Sequence, residues 1–211
     1  MSTVSSPPDQ IVVLHDVSWE TYAHLLEDFA DSSTPHLTYD RGTLEIMSPT
    51  AQHEELNRTL ALLVEILALE LGLDIRSLGS TTFRREDLER GFEPDSCFYV
   101  QNAQAVQGKT RLDLAFDPPP DLVIEIDITS PSVRKDPIYA QLGVPEVWRY
   151  NGGELRMSKL EENGYVTCEN SVAFPLLTAR VLSEFLHNSR TTTRPELVGS
   201  FRQWIRTARA L

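Results

Sequence analysis

Apolar residues recur with helical spacing in four segments of the chain. In the clearest, 52–71, they fall at i, i+4, i+7, i+8, i+11 and i+15, and Gly72 follows as a stop signal. A shorter segment, 19–30, begins after the potential cap Ser18. Residues 179–187 predict a third helix, and Pro195, a favourable first helical residue, opens a fourth that reaches the end of the chain.

Strand patterns occupy most of the remaining sequence. Residues 37–46 alternate around Asp40-Arg41-Gly42, which predicts a hairpin because Gly42 tolerates the positive φ of a tight turn. Further strands are expected at 73–78, 81–84, 95–100, 121–128, 146–150, 154–160 and 165–169, with a short helix at 137–142. Together these elements predict an α+β fold with a central mixed β-sheet flanked by helices.

The pattern also predicts how the chain is divided. Residues 1–10 are expected to form a disordered tail, 11–190 a single domain with an N-terminal helix and hairpin, and 195–211 an appended amphipathic helix. No stretch is apolar enough to span a bilayer, and the N-terminus carries no export signal, so the expected location is the cytoplasm. Cys97 and Cys168 lack the spacing of a disulfide scaffold or a zinc finger.

The formal charge of −12 argues against a protein that coats nucleic acid through bulk electrostatics. A local, metal-assisted contact with phosphate remains compatible with that charge. Candidate chemistry therefore has to be sought in individual side chains.

Two acids interrupt the apolar strand at 121–128. Glu125 and Asp127 are two positions apart, so their carboxylates are expected on one face of the strand. They could bind a divalent metal, form an ion pair with Arg or Lys, or lie on a solvated face of an edge strand. From this strand alone, the alternatives stay open.

A third acid, Asp95, shifts the balance toward the metal. Pro94 favours an extended Glu93 and delivers Asp95 to the start of a strand, 30 residues before Glu125. With Lys135 downstream, these residues match what metal-dependent phosphodiester cleavage requires. Two acidic side chains and a main-chain carbonyl such as that of Ile126 would bind Mg²⁺, or Mn²⁺ in its place. The lysine would orient the attacking water or stabilise developing negative charge.

Several motifs together resemble the Uma family of restriction-endonuclease-like proteins, which belongs to the PD-(D/E)xK nuclease superfamily. They are Tyr39-Asp-Arg-Gly-Thr-Leu-Glu-Ile-Met-Ser-Pro49 followed by His53, Pro94-Asp95, Pro120-Asp-Leu-Val-Ile-Glu125, Ser130-Pro-Ser132, and Lys135 four before Tyr139, leading into Gly143-Val-Pro-Glu-Val-Trp148. The resemblance spans most of the chain from Tyr39 to Leu160 and implies a restriction-endonuclease-like fold.

The resemblance also implies roles for individual residues. Asp95 and Glu125 would bind the metal, Asp127 is expected to be a further metal ligand, and Lys135 would be the catalytic lysine. Asp127 occupies the position where the superfamily usually carries its lysine, so Lys135 can act only if the helix near Pro137 returns its ammonium group to the metal.

Such sites are commonly completed by an acid from the first long helix. Glu54 is the candidate in its first turn. The neighbouring His53 could approach the metal or the phosphate, or serve as a structural residue near the helix start.

The implied activity is that of a Mg²⁺-dependent endonuclease acting on DNA, with Arg84 and Arg134 as candidates for phosphate contacts. Related enzymes act as dimers, and the apolar side of the C-terminal helix is one candidate partner surface. The competing hypothesis is a catalytically inactive restriction-endonuclease-like scaffold that serves as a protein-interaction module, and Asp127 at the lysine position supports it.

Overall fold

The computed structural model describes residues 9–32, 34–128 and 134–210. Residues 1–8, which belong to the predicted tail, and the Ser130–Ser132 motif lie outside the described residues. The predicted tail also included Asp9 and Gln10, but Asp9 is buried and Gln10 begins a strand.

Five α-helices form close to their predicted positions. They are α1 (Trp19–Asp28), α2 (Ala51–Leu71), α3 (Asp136–Gln141), α4 (Ala179–Asn188) and α5 (Arg194–Ala208). The local signals explain their ends: Ser18 and Thr50 cap α1 and α2, Gly72 ends α2 with φ +70°, and Thr193 with Glu196 forms a capping box on α5. No helix in these three ranges combines the length and apolarity needed to cross a membrane.

Eleven strands lie within the described residues. They are β1 (Gln10–Leu14), β2 (His36–Asp40), β3 (Thr43–Ser48), β4 (Arg76–Ser77), β5 (Phe83–Arg85), β6 (Arg90–Phe92), β7 (Ser96–Tyr99), β8 (Leu122–Ile126), β9 (Glu146–Tyr150), β10 (Leu155–Glu161) and β11 (Gly164–Cys168). The α+β class is confirmed. Two sheets form, however, where the sequence predicted one.

The larger sheet has the order β11-β10-β9-β8-β7-β4 and is mixed, because β8 and β9 run parallel while the other neighbours are antiparallel. Alternate residues of β8 face opposite sides: Leu122, Ile124 and Ile126 join the core that α2, α4 and α5 cover, whereas Val123 joins the core beneath α3. Glu125 is two positions after Val123, so its side chain lies on the same face of the strand, toward α3.

The smaller sheet has the order β1-β3-β2-β6-β5 and is antiparallel throughout. Helix α1 packs on it through a separate core that contains Tyr22, Leu37, Tyr39 and Leu44. The predicted hairpin at 37–46 forms its centre as β2 and β3. Strand β1 was not predicted, because five residues are too few for a clear period and they pair with residues of β3 that lie 30 to 38 positions further along the chain.

Helix α5 covers the core and does not offer an apolar surface to a partner. Leu197, Phe201 and Ile205 are buried, and the helix packs against α2 and α4. On its outer side, Arg202 forms an ion pair with Glu70 of α2. The expectation that the apolar side of α5 mediates dimerisation is therefore wrong: α2 and α4 already cover it.

Gly91 of β6 is required by the packing of α1. A Cβ atom at this position would lie 2.9 Å from Cζ of Tyr22 and still closer to its hydroxyl oxygen. The ring of Tyr22 cannot retreat easily, because it is fully buried and stacks on Tyr39 with 4.8 Å between the ring centroids.

We expect Gly91→Ala to destabilise the protein by about 2 kcal/mol, the usual cost of overpacking a core. Urea unfolding followed by circular dichroism measures this change. Gly199→Ala is the matched control: no atom lies within 4 Å of its new Cβ, so alanine in the middle of α5 should stabilise the protein by roughly 0.5–1 kcal/mol. Equal unfolding midpoints for parent and Gly91→Ala would contradict the packing described.

Candidate active site

Two strands of the larger sheet bring Asp95 and Glu125 together. Strands β7 and β8 are antiparallel with Ser96 opposite Ile124, and extending this register by one residue sets Asp95 opposite Glu125. The Ile126 N–H donates a hydrogen bond of 2.6 Å to Asp95 Oδ2, which fixes the carboxylate at the end of β8. Both acids are almost fully buried.

Lys135 returns to this pair in the way that the family resemblance required. It immediately precedes α3, and its Nζ lies 2.6 Å from Glu125 Oε2. Tyr139, four residues later and so on the same face of the helix, donates its hydroxyl to Glu125 Oε1. Lys135 and Tyr139, which are four residues apart in the sequence, therefore each bind one oxygen of the Glu125 carboxylate.

Electrostatics keep Lys135 charged. Burial disfavours the ammonium form, but Glu125 and Asp95 outweigh that effect and raise the pKa of Lys135 above its usual value. Burial also raises the pKa of Glu125, although Lys135 opposes this shift. A permanently protonated Lys135 can stabilise negative charge, but it cannot accept a proton from water.

Helix α2 holds the other side of Asp95. His53 and Asn57 are one turn apart: the Asn57 side-chain amide donates 2.9 Å to the Asp95 carbonyl oxygen, and His53 Nε2 lies 3.0 Å from Asp95 Oδ1. His53 Nδ1 lies 3.1 Å from Asp9 Oδ2, while the Thr50 N–H donates 2.8 Å to Asp9 Oδ1. His53 is thus buried between two carboxylates.

This arrangement favours a charged His53. Burial lowers the pKa of the ring, but Asp95 and Asp9 outweigh it and raise that pKa to about 9. Burial likewise opposes the ionisation of Asp95, and here the rings of His36 and His53 together with Lys135 hold the pKa of the carboxyl below its usual range. The Asp9–His53–Asp95 row therefore carries two negative charges and one positive charge at neutral pH.

Asp127 is placed differently from the other predicted site residues. Strand β8 ends at Ile126, and Arg149 Nη1 donates 2.9 Å to Asp127 Oδ2. Arg149 lies opposite Glu125 on β9, also binds Asp136, and has its Cζ 6.0 Å from the centroid of the Tyr139 ring. Of the alternatives left open for Asp127, the structure shows the ion pair.

These side chains surround a cavity of about 20 Å³ between the two sheets. Its lining consists of Asp9, Ile11, Glu45, Met47, His53, Asp95, Glu125, Ile126, Asp127 and Lys135. That volume holds about one water-sized particle. Asp95 Oδ1 and His53 Nε2 are buried here, and neither makes a hydrogen bond of good geometry to another described residue.

The remaining candidates lie away from the cavity. Glu54 is partly exposed and 3.6 Å from Arg58, a solvated pair on the outer face of α2. Arg84 and Arg134 are exposed. Arg84 borders an open cleft between α1 and β5, whereas Arg134 directly precedes Lys135.

Sequence reasoning missed three residues that belong to this constellation: Asp9, Glu45 and Arg149. Asp9 was assigned to a tail, and Arg149 had no local signal because its partners come from β8 and α3. Glu45 could have been noticed as the one acid inside the apolar run Leu44 to Met47, the same signal that drew attention to Glu125.

The chain is similar to known proteins both in sequence and in fold. A family model, Uma2, described as "Putative restriction endonuclease", matches residues 19–192. A crystal structure of "a putative nuclease belonging to DUF820" from Anabaena variabilis has a similar fold, with a TM-score of 0.54 and 12% sequence identity over 81% of this chain and 99% of that chain. No curated protein matches.

The Lys135–Glu125 pair can be tested for its effect on stability. Lys135→Met should destabilise the protein by about 3 kcal/mol, because it leaves a buried carboxylate without its cation. The double variant Lys135→Met/Glu125→Gln removes both charges and should recover most of that loss. Denaturant unfolding of the parent, the two single variants and the double variant gives the coupling between the residues.

A suitable control is the exposed Arg180–Glu184 pair on α4, where Arg180→Gln should leave the unfolding midpoint unchanged. Strictly additive effects of Lys135→Met and Glu125→Gln would contradict a buried ion pair.

Proposed function

Because the chain belongs to the Uma2 family, we propose that it is a Mg²⁺-dependent endonuclease that hydrolyses DNA phosphodiester bonds, with Mn²⁺ able to replace Mg²⁺. The observation that carries the proposal is the convergence of Asp95, Glu125 and Lys135 on one buried cavity, from three separate parts of the chain. A nuclease-like fold provides the frame, but the activity has to be argued from these side chains.

The donor atoms at the cavity are of the kind that Mg²⁺ prefers. Asp95 Oδ1 lacks a hydrogen bond of good geometry to the described residues, and Lys135 and Tyr139 occupy only part of the lone-pair capacity of the Glu125 carboxylate. Within the described residues, no set of three His, Cys, Asp or Glu side chains is grouped as a metal cage. Mg²⁺ commonly uses one or two carboxylates and keeps several waters, so this chain would hold it through Asp95, Glu125 and the Ile126 carbonyl.

When bound there, Mg²⁺ would lower the pKa of a coordinated water and neutralise charge on the phosphate. The protein's own residues divide the remaining work. Lys135, held in its charged form, stabilises the negative charge that develops on the phosphate or orients the attacking water. Tyr139 fixes Glu125 from the side opposite Lys135, and Arg149 neutralises Asp127, which we therefore place beside the site rather than on the metal.

Substrate contacts beyond the cavity are local. With a net charge of −12, the protein cannot attract DNA through its overall field. Arg134 is exposed and adjacent to Lys135, and on this proposal it would contact a phosphate next to the scissile one, with Arg84 as a second candidate for the DNA backbone. A homodimer would present one centre to each strand, through a surface other than the covered face of α5.

Cleavage of supercoiled plasmid tests the proposal. In Mg²⁺ or Mn²⁺, the parent protein should nick the plasmid and EDTA should stop it. Asp95→Asn and Lys135→Met should each slow the reaction at least about 100-fold, as expected when a group that stabilises transition-state charge is lost. Circular dichroism of every variant separates lost chemistry from lost folding.

Glu55→Gln serves as the control, since Glu55 is an exposed acid on α2 and should leave the rate unchanged. Equal cleavage by the parent and both site variants would assign the activity to a contaminant. No cleavage by the folded parent at any metal concentration would instead favour the competing hypothesis, an inactive scaffold that binds other proteins.

A further inference from the structure

A second pocket lies on the larger sheet beside the candidate active site. Its volume is about 310 Å³, at the lower end of the range of about 300–1,000 Å³ that holds small ligands. Asp127 lines both this pocket and the cavity between the two sheets, so the two spaces are adjacent. The rest of the lining includes Arg149, Arg156 and Thr167, from β9, β10 and β11. A substrate that reaches the cavity would therefore extend into this pocket.

The strand register sets four charged residues in one row across the larger sheet. Glu125 of β8 lies opposite Arg149 of β9, and Arg149 lies opposite Arg156 of β10. Asp95, opposite Glu125, extends the row by one strand. Residues directly opposite each other on neighbouring strands share one face of the sheet, so the row runs from two acids to two bases. A nucleic acid strand with one phosphate at the acids and their metal would meet the bases further along.

Arg156 is the arginine of this row that is available to a ligand. Arg149 already forms ion pairs with Asp127 and Asp136. Arg156 is exposed and forms neither an ion pair nor a hydrogen bond with another residue in the described part of the chain, including Glu154, which also lines the pocket. Two arginines directly opposite each other also repel, and a bound anion relieves that repulsion.

The distance along the row suits a DNA strand. Glu125 and Arg156 are two strand spacings apart, which is roughly 10 Å between their backbones. One strand of B-form DNA covers that distance in about three nucleotides, at about 3.4 Å each along the axis. A guanidinium group binds phosphate through its planar array of N–H donors. Arg156 can therefore contact a phosphate within about three nucleotides of the cleaved bond.

We propose that this pocket holds a backbone phosphate of the DNA strand that is cut, and that Arg156 is the ligand of that phosphate. The inference rests on the proposed endonuclease function and deepens it, because it gives the strand a course across the larger sheet from β8 toward β10. Thr167, whose exposed hydroxyl also lines the pocket, can donate a second hydrogen bond to the same phosphate.

Binding of a fluorescent DNA duplex, followed by anisotropy at several salt concentrations, tests the proposal. Every protein in this test carries Asp95→Asn, so that the duplex stays intact and only binding is measured. In this background, Arg156→Gln should raise the dissociation constant about tenfold, the change expected when a hydrogen bond to a charged group is lost. It should also reduce the slope of the logarithm of affinity against the logarithm of salt concentration by about one, because one phosphate contact is removed.

Two further variants distinguish a local contact from a general loss of charge. Arg206→Gln removes an equal charge from the exposed side of α5 and should change neither the affinity nor the slope. Arg156→Lys keeps the charge but loses the planar donor array, so it should keep the slope and recover only part of the affinity. If Arg156→Gln binds DNA like its background protein, or if Arg206→Gln weakens binding equally, the proposal is wrong.

The active protein provides a second readout. Arg156→Gln should raise KM for plasmid DNA about tenfold and leave kcat nearly unchanged, because Arg156 contacts the strand away from the cleaved bond. A fall in kcat at an unchanged KM would overturn the assignment.

These outcomes separate the failure of this inference from the failure of the proposed function. Plasmid cleavage by a protein whose DNA affinity does not depend on Arg156 removes only the role of Arg156. Binding that depends on Arg156, in a folded parent that never cleaves DNA, removes the endonuclease activity and leaves the phosphate site. A folded protein that binds no DNA at any salt concentration removes both.

Discussion

Burying carboxylates is the constraint on which the rest of the structure depends. A carboxylate withdrawn from water must meet a cation or several hydrogen-bond donors, or it takes up a proton. Here the junction of the two sheets buries Asp9, Glu45, Asp95 and Glu125 around one small cavity. The positions of His53, Lys135 and Tyr139 follow from that burial, since each contacts one of these acids.

The same requirement explains how distant segments are tied together. Lys135 and Tyr139 anchor the start of α3 to β8, and Arg90 of β6 donates 3.0 Å to the Pro137 carbonyl oxygen while also binding Asp40. Asp9 joins the approach to β1 to the first turn of α2. The smaller sheet thus joins the larger one through polar contacts at the site and also through a shared apolar core, in which Phe83 of β5 and Phe92 of β6 pack with residues of the larger sheet and α3.

Local pattern was enough to predict much of this fold. The predicted bounds of the helix at 52–71 and of the hairpin at 37–46 agree with the structure to within a residue or two. Both predictions used signals from neighbouring residues: a long helical period that ends at a glycine, and a short alternation on either side of Asp-Arg-Gly. Asp95, Glu125 and Lys135 were singled out for the same reason, as charged residues at the edges of apolar strands or helices, and the structure brings them together. Their catalytic roles remain predictions.

The features that the sequence pattern did not predict depend on contacts between residues far apart in the sequence. Strand β1 exists because β3 pairs with it, the two-residue β4 because β7 does, and the position of Arg149 is set by Asp127 and Asp136. Glu54 was chosen because superfamily resemblance pointed to the first long helix, yet the helix turns Glu54 outward toward Arg58. The most direct test of the account is a crystal soaked in Mn²⁺ and measured at a wavelength where manganese scatters anomalously. We predict one anomalous peak in the cavity, within coordination distance of carboxylate oxygens of Asp95 and Glu125. An ordered crystal with no peak there, and with Lys135 still closed on Glu125, would contradict the account.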